Sequence, residues 1–420
     1  MYSKKSWGGT IDPFILVKFR PDSTEDDTDP IASLIIFEWE DEGLIGRVPP
    51  GADSTQDRET ICSPETVAAG LCKEEEIGSF ILAPNATDLW KNPIYSEAIH
   101  LKDPKAINYP IRRTGYYCVS TFAYSDHEYD AVVEFRNAYG ELPAAQIAKL
   151  PFYGGLTITY AVLGAFWAFL YVQNRSDILP VQNYITATIV FLIVEQLMTW
   201  GFYDYQNRHG NNALNKVFML VVSILNAGRN SLSFFLLLIV CKGYGVVKLS
   251  LGRSMLYAQI LAATHFVLGA IYAIVSMSLT PDSVGPLALL IIFPLAGTLT
   301  AFYVWTLSSL NITIKDLVER QQKTKAMMYK RLGWCLFGSI VVIFVFSFVN
   351  SFAFAGVGRT NFAPEHWQSR WFVLDGWLNI VYLFDFTFIA YLWRPTANNR
   401  RFAMSDEVRG GPMLFLTPPY

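Results

Sequence analysis

Seven predominantly apolar stretches fill the second two-thirds of the chain, at 151–173, 181–203, 217–241, 254–276, 286–309, 332–355 and 371–393. Crossing the roughly 30 Å hydrocarbon core of a bilayer takes about 20 helical residues, and each stretch supplies them. Helix is the expected conformation, because in lipid the backbone must satisfy its own hydrogen bonds. One such run would fit a buried helix in a soluble protein; seven in series point to a multipass bundle.

The first third has a different rhythm. Short strand-like runs recur at Phe14–Phe19, Leu34–Trp39, Glu76–Leu82, Tyr116–Tyr124 and Asp130–Asn137. Turn signals divide them, among them Asp12-Pro13, Pro49-Pro50-Gly51 and Tyr139-Gly140. The expected fold class is therefore an all-β sandwich over 1–149, then an all-α seven-helix membrane bundle over 150–394, then a tail over 395–420.

Charge sharpens this division. Residues 1–149 hold 25 acidic and 14 basic side chains, whereas residues 150–420 hold 11 and 19. An acidic front domain would be repelled by phosphate, so nucleic acid is excluded as its partner. Loops one, three and five and the tail carry 14 Lys and Arg; loops two, four and six carry four, Arg208, Lys216, Arg359 and Arg370. The positive-inside bias then predicts a cytosolic tail and an N-terminal domain in the lumen or outside.

That compartment is oxidising, so Cys62, Cys72 and Cys118 are disulfide candidates, with one thiol left over. No apolar signal segment precedes the first domain, although it must cross a membrane. The expectation is that a signal peptide, and with it a fourth cysteine, lies upstream; the alternative is a free cysteine with translocation driven by the first span. Asn85-Ala86-Thr87 is a glycosylation sequon on the non-cytosolic side. Asn174-Arg175-Ser176 and Asn311-Ile312-Thr313 fall on the cytosolic side and should stay unmodified.

Polar residues inside the spans are the candidate site, because ionisable groups in lipid are costly and usually face the bundle interior. Span three carries Ser223, Asn226, Arg229, Asn230 and Ser233; span two carries Thr188, Glu195 and Thr199; span seven carries Asp375, Asn379, Tyr382 and Asp385. At about 1.5 Å per residue, Arg229 lies roughly 18 Å and Asp385 about 21 Å in from the non-cytosolic starts of their spans, and Glu195 about 12 Å from the corresponding end of its own. Arg229 can thus pair with Asp385 or with Glu195. Two readings stay open. One is a polar cavity holding a lipid headgroup or small ligand; the other is a set of interhelical hydrogen bonds and one buried salt bridge holding the bundle together.

Rival functions find little support in the residues. A rhodopsin-like receptor needs an acidic-Arg-Tyr triplet after span three, where Cys241-Lys242-Gly243-Tyr244 stands. It also needs Asn-Pro-x-x-Tyr in span seven, where Asn379-Ile380-Val381-Tyr382 lacks the proline. Of the five histidines, His265 is inside a span and His209 and His366 are in loops, a poor set for an intramembrane zinc hydrolase. No enzyme, cofactor or metal centre is expected. A transporter or channel is compatible with the polar stripes, and an odd number of spans argues against a simple inverted repeat. The basic stretch Ile312–Arg331 lies on the anionic cytosolic leaflet, or binds a coat or adaptor, or simply extends spans five and six. Ser405-Asp406-Glu407 in the tail has the form of an acidic kinase site.

Three segments, in order around the seven spans, carry a family resemblance. They are Phe135-Arg136-Asn137-Ala138-Tyr139-Gly140-Glu141-Leu142-Pro143-Ala144 running into Pro151-Phe152-Tyr153-Gly154, then Gly243–Gly252 after span three, then Tyr391-Leu392-Trp393-Arg394-Pro395 with Asn399-Arg400-Arg401-Phe402. Together they resemble the lung seven-transmembrane receptor family, the Golgi-dynamics-domain seven-transmembrane proteins. Met1-Tyr2-Ser3-Lys4 with Trp7-Gly8-Gly9 is similar to the fungal Golgi branch just past its signal peptide. Gly410–Tyr420 matches no such pattern. The resemblance implies a Golgi or endosomal membrane protein of vesicle traffic, with membrane lipids and cargo or trafficking proteins as partners and a Golgi-dynamics-type β-sandwich in the lumen.

Overall fold

The computed structural model describes residues 1–21, 29–49, 58–125, 127–278, 286–354, 362–397 and 399. It divides into two compact units. The first comprises Met1–Ala148, Tyr205–Gly210 and the described part of Gly356–Trp371; the second comprises Lys149–Asp204, Asn211–Ala355 and the described residues from Phe372 onward. The sites expected at Arg359 and at Ser405–Glu407, and the segments Arg400–Phe402 and Gly410–Tyr420, lie outside the described residues.

The first unit is a β-sandwich. Its strands are β1 (Phe14–Phe19), β2 (Ile31–Glu38), β3 (Tyr95–His100), β4 (Ile107–Pro110), β5 (Tyr117–Ala123) and β6 (Ala131–Arg136). They form two antiparallel three-stranded sheets, ordered β4-β1-β6 and β3-β2-β5. Alternation along β1 turns Ile15, Val17 and Phe19 inward, where they meet Ala32, Leu34 and Ile36 of β2 across the core. The opposite face of β2 is also covered, since Ile35 and Phe37 pack with Ile94, Phe80 and Trp90. That double burial explains the unbroken apolar run Leu34–Phe37 within β2.

The Cys62–Cys72 disulfide encloses a short helix, Pro64–Ala68, capped by the Ser63 side chain. Cys118 on β5 is a half-buried free thiol. The strand expected at Glu76–Leu82 does not form. A 3₁₀ turn at Glu74–Glu76 and the left-handed Gly78 (φ +86°) break it, leaving isolated bridges from Phe80 to Ile61 and from Leu82 to Ile45. Asn85 is exposed at the start of the short helix Ala86–Leu89.

The second unit contains the seven long apolar helices, except for the last turn of α2, which belongs to the first: α1 (Lys149–Gln173), α2 (Pro180–His209), α3 (Ala213–Cys241), α4 (Arg253–Ser278), α5 (Pro286–Glu319), α6 (Lys323–Phe354) and α7 (Trp377–Leu392). Several outrun their apolar stretches, because polar residues continue a helix beyond the lipid. The basic stretch 312–331 belongs largely to α5 and α6, which are separated by a tight turn with Gln321 in the left-handed region. A π-helical turn, Phe372–Gly376, leads into α7 and carries Asp375.

The apolar core of the bundle is concentrated towards its Trp393 end. There Ile185 and Val181 of α2, Leu238–Cys241 of α3, Leu317, Tyr329 and Trp393 are buried together. The turn after α3 is built on Gly243 (φ +82°), whose carbonyl accepts from the Val247 and Lys248 amides at 2.8 and 2.9 Å. A Cβ added at Gly243 would stand 2.7 Å from that of Val247. At the same end, Gln182 Nε2 donates to the Trp393 carbonyl (2.9 Å), and Thr313 Oγ1 donates to the Cys241 carbonyl (2.8 Å). The Asn311 sequon therefore has its threonine buried within a helix.

Candidate intramembrane polar site

Away from that apolar end, the bundle interior is polar and charged. Its outer layer sits where α1 begins, α2 nears its end and the π turn leads into α7. Lys149 Nζ lies 3.2 Å from Asp375 Oδ2 and donates to the Tyr203 hydroxyl, also at 3.2 Å. Tyr153, one turn after Lys149, donates its hydroxyl to the same carboxylate oxygen at 2.5 Å and stacks on the Tyr203 ring. The wide π turn directs Asp375 into this cluster, a use to which such irregular turns are often put.

The next layer hangs from Asp375. Asn379, one helical turn on, donates Nδ2 to Asp375 Oδ1 (3.0 Å), and its own Oδ1 accepts from Arg229 Nη1 at 2.8 Å. Arg229 Nη2 donates to Asn226 Oδ1 at 3.1 Å. Arg229 Nη1 is also 3.6 Å from Glu195 Oε1. Glu195 is buried, and Gln196 donates Nε2 to its other carboxylate oxygen at 2.5 Å. Beneath, the guanidinium carbon is 5.4 Å from the centre of the Tyr382 ring, whose hydroxyl pairs with Ser233 Oγ at 2.6 Å.

The result is a continuous chain, Lys149–Asp375–Asn379–Arg229–Glu195, drawn from α1, α2, α3 and the span through the π turn and α7. It contains two cations and two carboxylates, so each charge taken from water has an opposite partner or a path of hydrogen bonds to one. Arg229 Nε and Gln196 Oε1 are buried without a hydrogen-bond partner among the described residues.

Of the residues singled out in the sequence, Glu195, Asn226, Arg229, Ser233, Asp375, Asn379 and Tyr382 meet here. Asn230 does not; it is exposed and joins none of these contacts. Asp385 does not either. It faces α6, accepting from Ser339 Oγ at 2.5 Å and from Cys335 Sγ at 3.5 Å. Of the two partners open to Arg229, the structure selects Glu195. Sequence reasoning missed Lys149, Tyr153 and Tyr203. The i, i+4 spacing of Lys149 and Tyr153 was the available signal, obscured because Lys149 stands at the edge of its apolar run. His265 hydrogen-bonds Thr298 Oγ1 at 2.8 Å, an interhelical link between α4 and α5.

The family motifs before α1 serve the architecture of the first unit. Asn137 accepts from the Tyr2 amide (3.0 Å) and donates to the Leu142 carbonyl (3.2 Å), holding the turn that ends at Gly140. Asn207 clasps the same turn through the Tyr139 carbonyl (2.9 Å) and the Leu142 amide (3.3 Å).

Comparison with known proteins gives two domain matches that together take up most of the chain. The description "GOST, seven transmembrane domain" matches residues 148–400, and "PTM1-like, N-terminal domain" matches residues 1–137. Membrane protein PTM1 of Saccharomyces cerevisiae is 34% identical over 98% of this chain and 80% of its own length. An uncharacterised protein of Schizosaccharomyces pombe is 33% identical over 93% and 77%. Human Transmembrane protein 87A is 26% identical over 65% of this chain and 47% of its own length.

Proposed function

As the chain belongs to the GOST seven-transmembrane family and carries a PTM1-like N-terminal domain, we propose that it is a Golgi or endosomal membrane protein that acts in vesicle-mediated traffic or cargo sorting, without enzymatic chemistry of its own. The β-sandwich faces the lumen and the tail faces the cytosol. The observation that carries this orientation is the distribution of Lys and Arg, 14 against four, between the two sets of loops. In that arrangement the acidic sandwich is presented to lumenal cargo and Asn85 is open to glycosylation, while the basic turn between α5 and α6 meets coat or adaptor proteins.

Two measurements test the reading. A full-length tagged protein should coincide with Golgi or endosome markers, and a deletion strain should missort cargo; plasma-membrane residence with normal sorting would remove the proposal. Glycosidase treatment should shift the wild-type protein and leave Asn85→Gln unchanged. Protease protection that put Asn85 and the tail on one side would overturn the topology.

A second reading rests on the two unpartnered atoms beside the Arg229–Glu195 pair. Buried donors and acceptors are ordinarily satisfied. Arg229 Nε and Gln196 Oε1 are two hydrogen-bonding atoms that a polar ligand or lipid headgroup would satisfy, and on this reading the bundle is a receptor, transporter or channel. Arg229→Met separates the two. Failure to fold and to mature its glycan fits a structural role; normal folding with lost sorting fits a ligand site.

A further inference from the structure

A groove of about 820 Å³ runs along the bundle between α6 and α7. Its α6 wall extends from Arg331 past Gly338 to Val342, and its α7 wall is formed by Phe388, Phe384 and Ile380. Eleven residues of helix separate Arg331 from Val342, about 16 Å at ~1.5 Å per residue. That is close to one leaflet of hydrocarbon, half of the roughly 30 Å core. Cys335 and Ser339 also line the groove, but both donate to Asp385. Their polar atoms are thus engaged with a neighbour, and the channel they help to form is apolar.

The mouth is different. Arg331 is an exposed cation at the polar edge of the α6 span. Its recorded hydrogen bond is a 3.7 Å contact to the Met327 sulfur, a weak acceptor, and among the described residues no carboxylate pairs with it. Trp334, one turn further into the span, is 73% exposed, in the position of an interfacial aromatic anchor. An unpaired guanidinium at the interface, an aromatic belt residue and a leaflet-long apolar groove match the three parts of one molecule: phosphate, glycerol region and acyl chain.

We propose that the α6–α7 groove is a binding site for a glycerophospholipid, with its phosphate on Arg331 and one acyl chain between Gly338 and Phe384. Arginine suits this role because its planar fork donates two hydrogen bonds to one phosphate. The inference rests on the bundle lying in a bilayer. It is independent of the Arg229 network and of the trafficking role.

The test uses the full-length protein purified in detergent. Native mass spectrometry would follow titration with dioleoyl phosphatidylglycerol, with dioleoylglycerol as a phosphate-free comparator of the same chains. Two variants probe the two halves of the site. Arg331→Ala removes the phosphate contact at an exposed position. Gly338→Leu fills the groove from a position where an added Cβ meets no atom within 4 Å, and an unchanged melting temperature shows that the fold is intact. The wild-type protein should show one dominant phosphatidylglycerol adduct, weakened about tenfold or more by either variant, and should bind dioleoylglycerol more weakly than phosphatidylglycerol. Retention of wild-type binding by either variant, or equal binding of dioleoylglycerol, overturns the proposal.

Discussion

The Arg229 guanidinium stands 3.6 Å from the Glu195 carboxylate, with the glutamate side chain 2% exposed. Neither group can lose its partner cheaply. Breaking a buried pair on one side costs about 3–5 kcal/mol, because a charge is left alone in a low dielectric. Arg229→Met and Glu195→Gln should each lower the apparent melting temperature of the detergent-purified protein. The double variant should be less destabilised than the sum of the two, with a coupling of about 1 kcal/mol or more. Strict additivity in the thermal cycle would show that the pair does not interact.

Tyr153 and Lys149 converge on one oxygen of Asp375, so their losses should differ in size. Tyr153→Phe removes a single hydrogen bond to a charged acceptor, about 1.5–3 kcal/mol at most. Lys149→Met removes the only cation beside that carboxylate among the described residues and should cost more. Denaturation midpoints of the two variants, measured side by side, check the order; a larger effect of Tyr153→Phe would refute it.

Burial, with the Glu42 and Glu38 carboxylates nearby, pushes the Cys118 thiol up to about 11. The thiolate is the reactive form, so alkylation should be slow at pH 8 and rise with pH until about 11. An ordinary thiol with a value near 9 should react about a hundredfold faster at pH 8. Iodoacetamide labelling of a Cys241→Ser/Cys335→Ser variant, followed by mass spectrometry, measures this directly.

The turn at Gly243 needs a left-handed backbone and has no room for a side chain. Gly243→Ala should therefore destabilise by more than about 1 kcal/mol, the usual cost of forcing an ordinary residue into such a position. Gly338→Ala, at an open helical position, should cost nothing comparable. Thermal midpoints for the two alanine variants give the comparison.

The seven spans were legible because lipid imposes a length on apolar runs. Their ends were less so: α2 continues through polar residues to His209, whereas the near-meeting of α5 and α6 around Gln321 was one of the readings open for Ile312–Arg331. In the sandwich, β1 matched its alternating pattern residue for residue. Strands β3 and β4 escaped notice because Tyr95–His100 buries only Ile99 fully and Ile107–Pro110 is four residues long and ends in proline. Helical depth placed both Glu195 and Asp385 within reach of Arg229 without choosing between them. It could not foresee that Asp385, at a similar depth, turns to Ser339 on α6, since depth fixes height along a helix and leaves the direction of a side chain open.

The chain of residues from Lys149 to Glu195 has a consequence for its response to voltage. Two positive and two negative groups give it no net charge, so a membrane potential exerts no net force on it as a whole. A change in potential would only polarise the array, and the gating currents produced by an uncompensated arginine helix are not expected from this part of the protein.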